Sequence, residues 1–142
     1  MVRVQNRVCA VPLAHVIETM RQLPIEPLAG VPAFVRGVCI IRGKATPVVD
    51  CCAILGMRSF DENRFVTIRV GEKQVALSVG AVLGVREIES SSAAGVSLLQ
   101  GVSNDLIETI GTLDGEFLMV LRSCWKLPDA VWHALAQQEV AV

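Results

Sequence analysis

Cysteine and histidine are the residues of this 142-residue chain best suited to hold a metal ion or to act as nucleophiles. His15 and His133 lie near opposite ends of the sequence, and the adjacent Cys51 and Cys52 cannot easily turn both sulfurs toward one ion. No GxSxG nucleophile elbow, phosphate-binding P-loop or GxGxxG dinucleotide fingerprint occurs. The sequence therefore predicts no catalytic residue, no cofactor-binding residue and no metal site.

The cysteines are odd in number and form no CxxC pair, and each lies among apolar residues: Cys9, Cys39, Cys51, Cys52 and Cys124. In a reducing compartment, such residues behave as small buried hydrophobic side chains. We therefore expect free thiols rather than disulfides. The alternative is that Cys51 or Cys52 is a reactive thiol with a lowered pKa.

Three charged residues interrupt apolar stretches. Glu18 lies in the segment VIETM, where an acidic side chain requires a cation, and Arg42 is the best candidate. The alternative is two solvated charges that never meet. Asp50 could be a general base, but capping of a short helix over 51–55, ended by Gly56, explains it more simply.

Two basic-glycine steps, Arg36-Gly37 and Arg42-Gly43, bracket the apolar run 38–41. Glycine directly after arginine allows a sharp turn or a positive φ beside an exposed cation. The segment 34–56 is thus predicted to be a strand, a turn, a second strand and one helical turn. Nothing in it is typical of catalysis, and we interpret it as a rigid surface presented to a partner.

Composition narrows the classes of function. The chain is 52% hydrophobic, its net charge is −1 and its mean hydropathy is +0.52. It has no apolar run long enough for a membrane span and no signal-peptide pattern at its start, so we expect a cytoplasmic protein. The absence of tyrosine and an aromatic content of 4% disfavour nucleic-acid binding.

The elements expected to position these residues are mainly strands. Alternating apolar and polar residues on both sides of Gly71 predict a hairpin over 64–80. A second hairpin is predicted around Asp114-Gly115, and its strand FLMVL (117–121) is expected to be buried on both faces. Further strands are expected at 2–11, 16–21, 38–42, 45–49 and 82–89.

Helix is expected only in short pieces and at the C-terminus. There, residues at helical spacing form an apolar stripe: Leu127, Val131, Ala134 and Leu135. Many short strands punctuated by glycine and proline predict small antiparallel barrels or a sandwich. A weak internal sequence repeat predicts two similar β units, about 16–79 and the remainder, within one domain over 1–142.

The segment AVPLAHVIETM, followed by LPIEPLAGVPAFVRGVCIIRGKATPVVDCCAILG, resembles the CheW-like domain family. The pattern continues through the hairpin at 65–79 and the later strands, so the resemblance covers nearly the whole chain. The steps that carry it are 16–18, 32–38, Arg42-Gly43, 47–50 and Leu55-Gly56.

This resemblance implies two small five-stranded SH3-like β-barrels that pack together, with no enzymatic activity. Family members couple the cytoplasmic tips of methyl-accepting chemoreceptors to the regulatory domain of a CheA-type histidine kinase. It also implies a Glu18–Arg42 charge pair within a partner-binding surface. The partner-binding residues that it implies are Val16, Glu18, Arg36, Gly37, Val38, Arg42 and Gly43, with Asp50 and Gly56 in structural roles.

The chain departs from the family pattern at charged or polar positions. Ile40 replaces an asparagine, Cys52 an arginine, and Gly80 and Arg122 each replace an aspartate. These departures leave open a diverged CheW-like scaffold that serves another pathway, such as pili, motility or gene regulation. A different class, a small-ligand-binding sensory β-barrel module, also remains open.

Overall fold

The computed structural model describes residues 1–4, 7–54, 63–85, 107–113, 116–121 and 127–140. Within them, the chain forms ten strands and two α-helices, α1 (Cys51–Ile54) and α2 (Asp129–Val140), with a 3₁₀ turn at Leu13–His15. The strands are β1 (Val2–Val4), β2 (Arg7–Ala10), β3 (Val16–Arg21), β4 (Val35–Ile41), β5 (Lys44–Asp50), β6 (Arg64–Val70), β7 (Lys73–Val79), β8 (Ala81–Val82), β9 (Ile107–Leu113) and β10 (Glu116–Leu121).

The strands form two five-stranded sheets. The first sheet has the order β3-β6-β7-β5-β4, and the second has the order β8-β1-β2-β10-β9. This confirms the predicted fold class, a mainly β protein with two small packed barrels, short helices and a C-terminal helix. All strands of the first sheet come from residues 16–79.

Two tight turns set the register of the first sheet. Ile41 pairs with Lys44 across the two-residue turn Arg42-Gly43, and Val70 pairs with Lys73 across Gly71-Glu72. Two-residue turns of this kind match the twist of the strands that they connect. The predicted hairpins over 64–80 and around residues 114–115 are both confirmed as antiparallel strand pairs.

The strand pairs are antiparallel, as expected of small antiparallel barrels, with one exception in each sheet. Each sheet contains one parallel pair, β5 with β7 and β10 with β2. Parallel strands need a crossover connection, and in the first sheet α1, residues 55–62 and β6 separate β5 from β7. The turn signals in the sequence reveal only the hairpins, because crossover pairings join distant segments.

Both faces of the first sheet are covered. One face packs against the second sheet and α2 in a shared core that includes Val38, Val66 and Leu77 of the first sheet and Val4 and Val131 of the other elements. The opposite face encloses a smaller core of Cys39, Ile41, Val48, Phe65 and Ala76. Because both faces of this sheet are buried, apolar residues are favoured at most of its strand positions. This agrees with the high mean hydropathy of the chain.

Helix α2 confirms the C-terminal helix. Leu127, just before it, and Val131 and Leu135 within it are buried in the shared core, as the apolar stripe predicts. The Lys73 ammonium lies 5.0 Å from the centre of the Trp132 ring, a cation–π contact between the β6–β7 hairpin and this helix. In the described part of the chain, no helix is long and apolar enough to cross a bilayer.

Strand β10 confirms the strand that was predicted at 117–121. Leu118 is buried and Val120 is partly buried on one face. The side chains of the other face, including Leu121, lie outside the described residues, so burial of both faces stays a prediction. Gly56, Cys124, Arg122 and residues 86–89 also lie outside the described residues.

Candidate functional site

Glu18 and Arg42 form a two-pronged ion pair, as the sequence predicted. Arg42 Nη2 donates to Glu18 Oε2 at 2.6 Å, and Arg42 Nε donates to Glu18 Oε1 at 2.9 Å. This parallel geometry uses the planar fork of the guanidinium, which a lysine cannot reproduce. The alternative of two charges that never meet is wrong.

Glu18 lies on β3 and Arg42 on the turn that follows β4, and these two strands are not neighbours in the sheet. Strand β3 lies at one end of the sheet order and β4 at the other. The ion pair therefore connects the two edges of the curled sheet. The Arg42 side chain is 75% exposed and that of Glu18 is 26% exposed, so the pair lies at the surface rather than in the interior.

The electrostatics of the pair favour its charged form. Hydrogen bonding from Arg42 lowers the pKa of Glu18, against a smaller opposing effect of desolvation. The same hydrogen bond raises the pKa of Arg42. Because the pKa of Glu18 is lower in the folded chain than in the unfolded one, the stabilisation is present at neutral pH. It is lost as the pH falls through the folded-state pKa.

A strained turn holds Arg42 in place. Arg42 has φ 50° and Gly43 has φ 77°, the left-handed conformation at both central positions that defines a type I′ turn. Arg42 is the only described residue other than glycine with a positive φ. Gln74 Nε2 donates to Thr46 Oγ1 at 2.8 Å and to the Ile41 carbonyl at 3.4 Å, which supports the turn from beneath.

A β-bulge positions the other member of the pair. The pairing of β3 with β6 shifts between Val16 and Glu18, which leaves Ile17 without an opposite residue. The buried Thr67 side chain spans this irregularity: its hydroxyl donates to the Glu18 carbonyl and accepts from the Glu18 amide, each at 3.2 Å. Bulges often redirect side chains at functional surfaces.

Two large apolar side chains beside the ion pair in sequence are exposed. Ile17 is 43% exposed and Ile40 is 64% exposed. We call Ile17, Glu18, Ile40, Arg42 and Gly43 the ion-pair surface. Apolar side chains beside a fixed charge pair are suited to binding a protein rather than to catalysis.

Ile17 and Thr67 also contribute to this surface, and neither was predicted from the sequence. The run VIETM has no clear alternation, so it does not reveal the bulge that turns Ile17 outward. Thr67, a polar position in the alternation of the 64–80 hairpin, is fully buried. A threonine flanked by apolar residues on a strand is the one signal that could have suggested a buried hydroxyl.

The other predicted partner-binding residues lie deeper. Val16 is half-buried against the shared core, and Val38 is buried within it. Gly37 is also buried, inside β4 rather than in a turn, so the expected turn at Arg36-Gly37 was wrong. Arg36 is half-buried and donates from Nη1 to Ser78 Oγ at 2.7 Å.

A close backbone approach explains the glycine at position 37. Glu26 and Val38 exchange two backbone hydrogen bonds of 2.8 Å, which bring the segment after β3 against β4. A Cβ on Gly37, whose φ is 149°, would lie 2.1 Å from the Glu26 carbonyl oxygen. The positive φ anticipated at this glycine is confirmed, but it accompanies an irregularity inside a strand.

Asp50 caps α1 as predicted. Its Oδ1 accepts from the Cys52 amide at 2.9 Å and from the Ala53 amide at 3.4 Å. These amides are among those that a helix start leaves without intrahelical partners. A buried carboxylate in this capping role needs no catalytic explanation.

Two of the departures from the family pattern have visible structural settings. Cys52 is fully buried, where an arginine would have to lose its water. The Gly80 amide donates to the Arg3 carbonyl at 2.9 Å, and a Cβ there would lie 3.0 Å from the same oxygen. Ile40, by contrast, adds exposed apolar area to the ion-pair surface.

The described cysteines are all buried, as predicted: Cys9, Cys39, Cys51 and Cys52. Burial raises the pKa of the Cys39 thiol to about 11, so the reactive thiolate is scarce at neutral pH. In the described part of the chain, no three histidine, cysteine or acidic residues cluster closely enough to hold a metal ion.

We expect these thiols to react slowly with iodoacetamide in native buffer at pH 7, and quickly once the chain is unfolded in urea. Mass spectrometry of tryptic peptides would give the labelling rate at each cysteine. Because Cys39 keeps its proton in the folded state, folding stability should decline as the pH rises from about 9 toward 11. Rapid native labelling of Cys51 or Cys52 would instead support thiol chemistry.

The chain is similar to known proteins both in sequence and in fold. The family model for the CheW-like domain matches residues 1–123. The crystal structure of the scaffolding protein TtCheW from Thermoanaerobacter tengcongensis is similar, with a TM-score of 0.69 and 17% sequence identity over 87% of this chain and 86% of that one. No curated protein sequence matches the chain significantly.

Proposed function

The chain belongs to the CheW-like domain family, whose members are non-enzymatic scaffold and adaptor proteins of chemotaxis signalling, and from that premise we propose that it couples chemoreceptors to a CheA-type histidine kinase. Its partners would be the regulatory domain of the kinase and the cytoplasmic tip of a methyl-accepting receptor. On this proposal the protein works in the cytoplasm and is recruited to membrane receptor arrays by the receptor tip.

The ion-pair surface is the observation that carries this proposal. It combines a two-pronged charge pair with two exposed isoleucines, which lie on β3, on β4 or on the turn between β4 and β5. The bulge at Ile17 and the strained turn at Arg42 fix the geometry before any partner arrives. A preorganised surface loses less conformational entropy on binding than a mobile one does.

We assign different roles to the residues implied by the resemblance. Glu18, Arg42 and Gly43 would contact the partner, with the half-buried Val16 and Arg36 at the margin. Gly37 and Val38 are buried, so they would act only by holding β4 in position. Ile17 and Ile40 join the contact set because of their exposure.

A double-mutant cycle tests the surface. We expect Glu18→Ala and Arg42→Ala each to weaken binding to the kinase regulatory domain roughly tenfold, because either change releases the other charge. The double variant should lose less than the two effects combined, since one interaction can be broken only once. Isothermal titration calorimetry would give the affinities, and pull-down with a receptor-tip fragment would test the second partner.

Asp129→Asn is the matched control, because Asp129 is an exposed carboxylate on α2 and is not one of the residues of the ion-pair surface. It should leave the affinity unchanged. Strict additivity of the two single effects on binding would mean that the pair does not act as a unit at the interface. Unchanged affinity in all three ion-pair variants would remove the surface from the proposal.

A diverged scaffold of another signalling pathway is the second candidate, and the exposed Ile40 favours it. An apolar side chain in place of the usual asparagine suits a partner with an apolar contact at that point. We expect Ile40→Asn to weaken binding to the true partner and to strengthen binding to a flagellar CheA domain if the pathway has diverged. The opposite pair of results would favour ordinary chemotaxis coupling.

The alternative of a small-ligand sensory module has less support. The space between the two sheets is filled by the buried side chains of the shared core. A small ligand between the sheets would therefore have to displace this core.

A further inference from the structure

A cleft lies at the end of β3 that is farther from the ion pair. It has a volume of about 580 Å³ and is lined by Arg21, Gln22, Leu23, Pro24, Asn63 and Arg64. Its base is anchored by a backbone hydrogen bond of 2.9 Å from the Gln22 amide to the Asn63 carbonyl. This bond extends the pairing of β3 with β6 by one step, so the cleft is built on a continuous sheet edge.

Two arginines lie side by side in the lining of this cleft. Arg21 and Arg64 are directly opposite in the antiparallel pairing of β3 with β6. Side chains in that relation project from the same face with their Cβ atoms about 4.5–5.5 Å apart, and two like charges there repel. Both arginines are exposed, and no carboxylate of the described residues forms an ion pair with either one.

The rest of the lining defines what could bind there. Leu23 and Pro24 supply an apolar wall, while Gln22 and Asn63 carry side-chain amides that can donate and accept hydrogen bonds. Guanidinium groups pair preferentially with carboxylates, in a two-pronged manner where the geometry permits. A ligand with carboxylates beside an apolar group would match the cleft in both charge and polarity.

We propose that this cleft binds an acidic, extended peptide segment of a partner protein. Its carboxylates would lie on Arg21 and Arg64 and relieve their mutual repulsion, and an adjacent apolar side chain would pack on Leu23 and Pro24. The site is separate from the ion-pair surface. Arg21 follows Glu18 by three strand positions, roughly 10 Å, and by strand alternation it projects from the opposite face.

A short fluorescent peptide of alternating glutamate and leucine is the probe, and the same peptide with glutamine for glutamate is its matched control. Fluorescence anisotropy with the full chain should show binding of the acidic peptide only, with affinity falling as salt rises. Arg21→Gln and Arg64→Gln should each weaken it roughly two- to fivefold, the range of an exposed ion pair. The double variant should lose more than either single one.

Arg69→Gln is the matched protein variant, because Arg69 is also an exposed arginine on β6 but does not line the cleft. It should bind the peptide as the natural chain does. Thermal denaturation of the free protein should show Arg21→Gln and Arg64→Gln to be as stable as the natural chain or more so, since each removes a like-charge contact. These results together would support the proposal.

Three outcomes would overturn it. The glutamine peptide could bind equally well, which would mean that the carboxylates are not recognised. Inorganic phosphate, supplied at the same concentration of negative charge, could displace the acidic peptide, which would indicate a site for small anions. Asp61 and Glu62 precede Asn63 in the sequence and offer a third outcome. If only the Asp61→Asn/Glu62→Gln variant binds the acidic peptide, the cleft serves the chain's own carboxylates.

Discussion

Gly37→Ala should destabilise the protein by about 2–4 kcal/mol, through backbone strain together with overpacking. The added Cβ would lie 2.1 Å from the Glu26 carbonyl oxygen, a backbone atom that cannot move without breaking the two hydrogen bonds between Glu26 and Val38. The φ of 149° adds strain for any residue with a side chain. Urea denaturation followed by circular dichroism would give the loss as a lower midpoint at unchanged slope.

Gly71→Ala separates the two contributions. Gly71 also has a positive φ, 64°, but a Cβ there would meet no atom within 4 Å. It should therefore show only the conformational cost of a left-handed residue, about 1 kcal/mol. Equal losses in the two variants would mean that the contact with Glu26 yields easily.

The Gly37 variant also has a functional consequence. The segment between β3 and β4 carries Leu23 and Ile25, which pack against the smaller core. It also carries Pro24, which lines the cleft at the end of β3. Displacement of Glu26 would move this segment. We therefore expect weaker binding at the cleft as well as lower stability.

Local patterns in the sequence predicted the parts of this fold that depend on neighbouring residues. The Asp50 cap, the hairpin around Gly71 and the apolar stripe of α2 each follow from residue types within a few positions of one another. The Glu18–Arg42 pair was also predicted, although its residues are far apart in sequence. That prediction rests on the cost of leaving an acidic residue alone in an apolar strand, together with the charge pair that the family resemblance implies.

Features created by distant backbone contacts could not be predicted in the same way. Arg36-Gly37 has the composition of a turn, and only the approach of Glu26 explains why the glycine lies inside a strand. Ile17 is exposed because of a bulge whose partner strand begins more than forty residues later. The burial of Thr67 also depends on distant segments, because a single strand does not show what covers its second face.

Because both faces of the first sheet are buried, truncation of Phe65 should also cause a large loss of stability. Its side chain is fully buried in the smaller core with Cys39, Ile41 and Val48, on the face opposite the shared core. Phe65→Ala should cost about 3–5 kcal/mol, because the removed ring leaves a cavity that the surrounding strands cannot fill. That is a large share of the total stability of a typical domain, about 5–15 kcal/mol.

Ile40→Ala is the control for this truncation, because it removes apolar atoms from an exposed position on β4 and should change the free energy of unfolding by less than about 0.5 kcal/mol. Urea midpoints would compare the two variants. A loss below about 1 kcal/mol for Phe65→Ala would mean that the barrel interior collapses around the gap.

Labelling of Cys39 gives an independent measurement. Its thiol lies in the same core, so the cavity left by Phe65→Ala should speed the alkylation of Cys39 in the folded protein. An unchanged rate beside a large loss of stability would mean that the cavity stays closed to water, and the smaller core would then be rigid enough to hold the ion-pair surface in place.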